Sequence, residues 1–180
     1  MKFSTRRASA FFVTNLIVLA TILPFTTKAM EITSTMLSTS STPLYLYIPS
    51  INLFTNIQGV GVNEKGNMDV PSGKTNDVGW YQYGVTPGNT GTAVLDAHNT
   101  AAFQNLNSVP LGSEIYVWTT EGKWLRFTVT KANTYSVNSL SPWTLFEQTQ
   151  NKQLNLITCA GTLLGNGEAT HRLIVSAELG

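Results

Sequence analysis

Glu114-Ile115-Tyr116-Val117-Trp118-Thr119, then Thr120-Glu121-Gly122, then Lys123-Trp124-Leu125-Arg126-Phe127-Thr128-Val129-Thr130-Lys131 is the stretch that decides the fold. Two runs rich in β-branched and aromatic residues flank a three-residue turn signal containing glycine, which predicts a β-hairpin. In the second run apolar residues fall on even and odd positions alike, so the pattern leaves open which face is core. Outward from the hairpin, further short runs recur with turn signals every ten or so residues, as in an all-β sandwich or barrel. These are Leu44 to Ile48, Thr92 to Ala97, Gln153 to Thr158 and Arg172 to Ala177. Helical signals are short. Ala101 to Leu106 fits one turn, and Ser141-Pro142 before Trp143, Leu145 and Phe146 offers an N-cap followed by proline at the first helical position. Trp143 is expected to anchor that helix, and Trp118 and Trp124 to pack in the core or on the hairpin.

The chain has 180 residues, and three regions are expected within it. Residues 1–29 hold a charge-free stretch from Ala8 to Phe25 behind Lys2, Arg6 and Arg7, the arrangement of a signal anchor or a signal peptide. The only plausible cleavage site, Thr27-Lys28-Ala29, matches the small-x-small rule poorly, which favours a retained single-pass anchor with the basic end inside. Residues 30–42 are rich in Ser and Thr and read as a flexible tether, and residues 43–180 as one folded, exported domain. From Met30 onward seven basic residues face ten acidic ones, a net charge of −3. That excludes the basic footprint of a nucleic-acid binder. No G-x-G-x-x-G occurs among Gly59, Gly61 and Gly66, and no acidic cluster resembles a hard-cation site, so neither a cofactor nor a metal is expected.

A single cysteine, Cys159, excludes an intrachain disulfide framework and a zinc site built on several thiols. It is either a small core residue or a nucleophile. Cys159 ends the apolar run Leu154-Asn155-Leu156-Ile157-Thr158, and His98 stands in the same way after Thr92-Ala93-Val94-Leu95. Two such strands ending side by side would join thiol and imidazole. A neighbouring cation favours the attacking thiolate, and the imidazole can protonate a leaving amine and later deprotonate an incoming one. Acyl transfer also needs a group for the developing oxyanion. Of the two arginines beyond Met30, Arg126 and Arg172, the second opens the last apolar strand, 13 residues after Cys159, and is the better candidate. His171 would point to the opposite face and is read as structural.

The order His, Cys, Arg on short strands is the pattern of sortases. Thr92 to His98 resembles that family's strand ending in the catalytic His, Leu156-Ile157-Thr158-Cys159 its T-L-x-T-C motif, and His171-Arg172-Leu173-Ile174-Val175 its catalytic Arg and following strand. Tyr47-Ile48-Pro49-Ser50-Ile51 looks like the opening strand. Asn67-Met68-Asp69-Val70-Pro71 with Val78-Gly79-Trp80-Tyr81 is similar to class E and class F sortases. The resemblance spans roughly Leu44 to Leu179 in order. It implies an eight-stranded β-barrel with one or two short helices, and a cysteine transpeptidase with His98, Cys159 and Arg172 as catalytic residues and Thr158 as a substrate contact. Its partners would be LPxTG-like sorting-signal peptides and an amine nucleophile such as a peptidoglycan precursor, at the outer face of a bacterial membrane. The other readings are a hydrolase using the same three residues and a non-catalytic barrel that binds cell-wall peptides. Two residues depart from the family pattern: Asp96 puts a carboxylate two residues before His98, and Asn155 stands where Thr is usual. Residues 132–150 and 160–170 read as loops flanking the site, the second made mobile by Gly161, Gly165 and Gly167.

Overall fold

The computed structural model describes residues 41–64, 66–71, 75–165 and 167–180; the expectations for residues 1–40 lie outside the described residues. Eight strands form it: β1 (Pro43–Ile48), β2 (Leu53–Val60), β3 (Val78–Tyr81), β4 (Gly91–Asp96), β5 (Glu114–Thr119), β6 (Trp124–Ser136), β7 (Lys152–Leu163) and β8 (Ala169–Leu179). They close into a barrel in the order β1-β2-β3-β4-β7-β8-β6-β5. Closure leaves no unpaired sheet edge. The β5–β6 hairpin turns on Gly122, whose φ of 71° is the left-handed conformation that glycine adopts without a Cβ penalty.

Alternation sorts the residues. Leu46 and Ile48 of β1, Leu53 and Ile57 of β2, Ile115 and Val117 of β5, and Phe127 and Val129 of β6 fill the interior. In β6 it is therefore the odd positions that face the core, which the mixed pattern left open. On the outer side of the same strands Tyr45 stacks on Phe54 at 5.5 Å, and Trp118 lies 5.1 Å from Trp124 across the hairpin. Both tryptophans pack on the hairpin's outer surface.

Strands β4, β7 and β8 differ because both of their faces are covered. Ala93, Leu95, Leu154, Leu156, Leu173 and Val175 point into the barrel, while Val94, Ile157 and Ile174 point out into a second, smaller apolar cluster. Tyr135, Leu140, Leu145 and Phe146, from the end of β6 and the connection to β7, pack on it. This connection carries a short α-helix, α1 (Pro142–Leu145), capped by the Ser141 hydroxyl accepting from the Trp143 N–H at 3.3 Å. Leu145 and Phe146 do the packing; Trp143 is exposed and does not anchor the helix.

Several expectations change. Strands β2 and β3 were not predicted as strands, since Thr55, Asn56, Gln58 and Gly59 dilute the apolar signal of one and the other has four residues. Residues 132–136 and 160–163 belong to β6 and β7, so the loops beside the site are shorter than expected. The turn expected over Ala101 to Leu106 is a succession of tight turns ending in a 3-10 helix at Leu106–Ser108, with Phe103 and Leu106 buried. Cys159 does not end its strand. β7 continues to Leu163, with a break in its register against β8 between Ala160 and Leu163.

Candidate active site

The pairing of β4 with β7 is parallel and in register from Gly91↔Lys152 to Asp96↔Ile157. Both chains therefore run out at the same rim, and the Ala97 N–H donates to the Ile157 carbonyl at 3.3 Å, carrying the match one step further. Continued by one more residue, it sets His98 level with Cys159. On the other side, β7 and β8 are antiparallel with Cys159 directly opposite Arg172. Imidazole, thiol and guanidinium thus form one row, from the chain just beyond β4 and from β7 and β8, with neighbouring strand backbones about 5 Å apart. All three side chains line one groove of about 540 Å³, and Cys159 is free and half-buried.

Each member is held from behind. The His98 carbonyl accepts from the N–H groups of Ala101 (3.1 Å) and Phe103 (3.2 Å), and buried Phe103 pins that turn to the core. Arg172 gives Nη1 to the carbonyls of Ala169 (3.2 Å) and His171 (3.0 Å), which fixes the guanidinium along its own strand. No carboxylate ion-pairs with it among the described residues. Thr158 is buried beneath the groove, and its hydroxyl donates to the Ala97 carbonyl at 2.7 Å. Its side chain clamps the end of β4 to β7 and is not among the groove-lining groups. His171 lies outside the groove: its Nδ1 is 2.8 Å from the Thr170 hydroxyl. Gly161, at φ 75°, passes so close to both that a Cβ there would lie 2.5 Å from Thr170 Oγ1 and 2.6 Å from His171 Nδ1.

The groove floor is a grid set by strand register. The row behind His98, Cys159 and Arg172 holds Asp96, Ile157 and Ile174. Met68, Tyr81, Leu140, Leu145 and Phe146 form the walls. Sequence reading missed Val94 and Ile157 as site residues, because apolar residues in apolar strands look like ordinary core. The usable signal was the unbroken buried run Thr92-Ala93-Val94-Leu95, which marks a strand covered on both faces. Asn155, the other departure from the pattern, is buried and donates Nδ2 to the Leu145 carbonyl at 2.8 Å, tying α1 to β7; its Oδ1 has no partner.

Asp96 lines the groove. Desolvation by burial pushes its carboxyl up to about 7, against the opposing pull of the Arg172 guanidinium and a hydrogen bond from the Ala97 N–H. Among the described residues no group of three His, Cys, Asp or Glu is placed to hold a metal ion, and no helix is long and apolar enough to cross a membrane.

Residues 46–180 match the family model of the sortase domain. The chain belongs to the sortase family. Among solved structures it is similar to sortase C from Clostridium perfringens SM101, with TM-score 0.58 and 23% identity over 77% of this chain and 70% of that one. A lid mutant of sortase A from Corynebacterium diphtheriae gives TM-score 0.60 and 21% identity over 77% and 70%. Group B Streptococcus pilus island 1 sortase C2 gives 0.58 and 23% over 79% and 75%. At these identities the likeness is one of fold. No curated protein sequence matches the chain. The eight-stranded closed barrel with very little helix is the sortase fold expected from the sequence.

Proposed function

We propose that this sortase is a cysteine transpeptidase that cleaves an LPxTG-like sorting signal and transfers the acyl fragment to an amine. The observation that carries the reading is the single row of His98, Cys159 and Arg172 across β4, β7 and β8 at the head of an apolar groove. An extended peptide with aliphatic side chains fits the floor and walls formed by Val94, Ile157, Leu145 and Phe146.

In this mechanism the Cys159 thiolate attacks the scissile carbonyl. Arg172 holds the developing oxyanion with the donors not engaged by Ala169 and His171, a charged and directional contact that strengthens as the oxygen gains charge. His98 protonates the departing amine, and the C–N bond breaks to leave a thioester on Sγ. An incoming amine then gives its proton to His98 as it attacks the thioester, and the C–S bond breaks to regenerate the thiolate. Thr158 acts here as a positioning residue, by holding the end of β4 that carries His98, in place of the substrate contact expected from the family pattern. We assign the acceptor to a cell-wall amine and the enzyme to the outer face of a membrane, anchored through residues 1–29, on the sequence argument above. The class E or class F affinity rests on the motifs at 67–71 and 78–81 alone.

Intact-mass spectrometry of the full chain tests this, with pooled LPxTG-like peptides, with and without an amine acceptor, beside Cys159→Ala. The expected result is an acyl adduct on the wild-type chain only, discharged by the amine. Peptides that bind without an adduct would overturn the reading in favour of a binding barrel, and discharge by water with no amine product would make the enzyme a hydrolase.

A further inference from the structure

The second row of the groove floor contains two isoleucines and one acid. Register puts Asp96 beside Ile157, and Ile157 beside Ile174, one step behind the thiol row. Val94, Asp96 and His98 alternate along one strand face and all line the groove, so the carboxyl projects into the space that a peptide fills. It is the only acid among the described groove residues. Among the described residues no salt bridge neutralises it: Arg172 acts on it only through space, its guanidinium being fixed on backbone carbonyls. A carboxyl taken from water and given only a backbone N–H is a cost to the empty protein that a donor on the ligand removes.

Two positions along a strand span about 7 Å, which is also two residues of an extended peptide. A side chain within two residues of the cleaved bond therefore reaches Asp96. We propose that Asp96 is a specificity-determining residue that selects sorting peptides with a basic side chain at one of the two acyl residues nearest the cleaved bond, and rejects those with an acidic one. This deepens the transpeptidase reading and rests on it. The selection is pH-dependent, because Asp96 is neutral below about 7 and charged above it. Among the described residues the titratable and charged groups facing it are His98 just beyond its own strand, Cys159 on β7, Arg172 on β8 and Tyr81 on β3; the described groove residues from the β2–β3 segment and from the α1 connection carry no charge. His98, Cys159 and Arg172 are retained in Asp96→Asn, so the difference between wild type and that variant in the ratio between peptides isolates Asp96.

The test is competitive acylation of the full chain by peptides carrying Lys, Ala or Glu at each of these two positions, read by mass spectrometry at pH 6 and pH 8.5. A charge-assisted hydrogen bond is expected to favour Lys over Ala by about tenfold at one position at the higher pH. The preference shrinks at pH 6, and in Asp96→Asn it is small and the same at both pH values. Asp96→Ala provides the same comparison with the acceptor removed altogether. Acylation by all peptides with equal ratios, or a Lys preference that survives in both variants, overturns this inference and leaves the transpeptidase reading standing. A wild-type chain acylated by no peptide overturns both.

Discussion

Arg172 shows how much a single side chain's tethering decides. With Nη1 bound to two carbonyls of its own strand, the guanidinium presents a fixed fork to the groove, and an ammonium at that position has neither the reach nor the planarity to keep both roles. Arg172→Lys is expected to slow acylation about 100-fold or more, the usual loss for one oxyanion donor, with an unchanged melting temperature. Single-turnover mass spectrometry and thermal melts check the two halves separately. Asp96 gives a pH prediction with a definite sign. Its carboxyl titrates near 7 in the folded chain against 3.8 as the ordinary value, so the native state holds its proton to higher pH than the unfolded chain does. Stability from this group therefore falls as pH rises from about 4 through 7, and the penalty is complete above 7. Asp96→Asn removes that slope: urea titrations are expected to find the variant more stable relative to wild type at pH 8 than at pH 4.5. At this scale the sequence was informative about chemistry and poor about orientation. The residue types and order of His98, Cys159 and Arg172 picked them out, and the structure brings the three to one groove. Thr158 was read as facing substrate because the family pattern sets it beside the nucleophile; its buried hydroxyl on Ala97 shows what strand alternation alone implied, since the residue before a groove-facing cysteine faces the other way.

Among the elements, β4 and β7 carry the site and the contacts between them set its precision. Thr158→Val keeps shape and removes the donor to the Ala97 carbonyl, leaving that buried oxygen unsatisfied. The expected outcome is a loss of about 1 to 3 kcal/mol in stability, with acylation slowed more than binding is weakened because the carrier of His98 loosens. Urea denaturation and the split between kcat and KM measure these. On the neighbouring stretch, Gly161→Ala meets both a left-handed φ and the Thr170–His171 pair within 2.6 Å. It is expected to destabilise the chain by about 1 to 3 kcal/mol and to shift the β7–β8 register next to Cys159, seen as altered thiol labelling rates. Strands with clean alternation were legible: β5 runs over the six residues predicted for it, from Glu114 to Thr119. Those bent by a register break were not. Nothing in Cys159-Ala160-Gly161 announces that the strand resumes, because a bulge is dictated by the partner strand and not by local propensity.

As a whole, the barrel has among its described residues one interior and one external apolar cluster, and they differ in what a change does. Phe127→Ala removes a fully buried ring from the interior, and about 3 to 5 kcal/mol of stability is expected to go with it, read as a lowered urea midpoint with activity retained below the transition. The fold class was visible from hairpin signals and short alternating runs, whereas closure and strand order were not, since they depend on pairings between strands far apart in the chain.

The parallel match of β4 and β7 also fixes when the proposed catalytic row is assembled. Thiol and imidazole lie 61 residues apart, and the guanidinium comes 13 residues later still, on β8. The three groups of the proposed catalytic row meet only when the last of their strands docks, so the chemistry proposed for them belongs to the completed barrel and to no partly folded form.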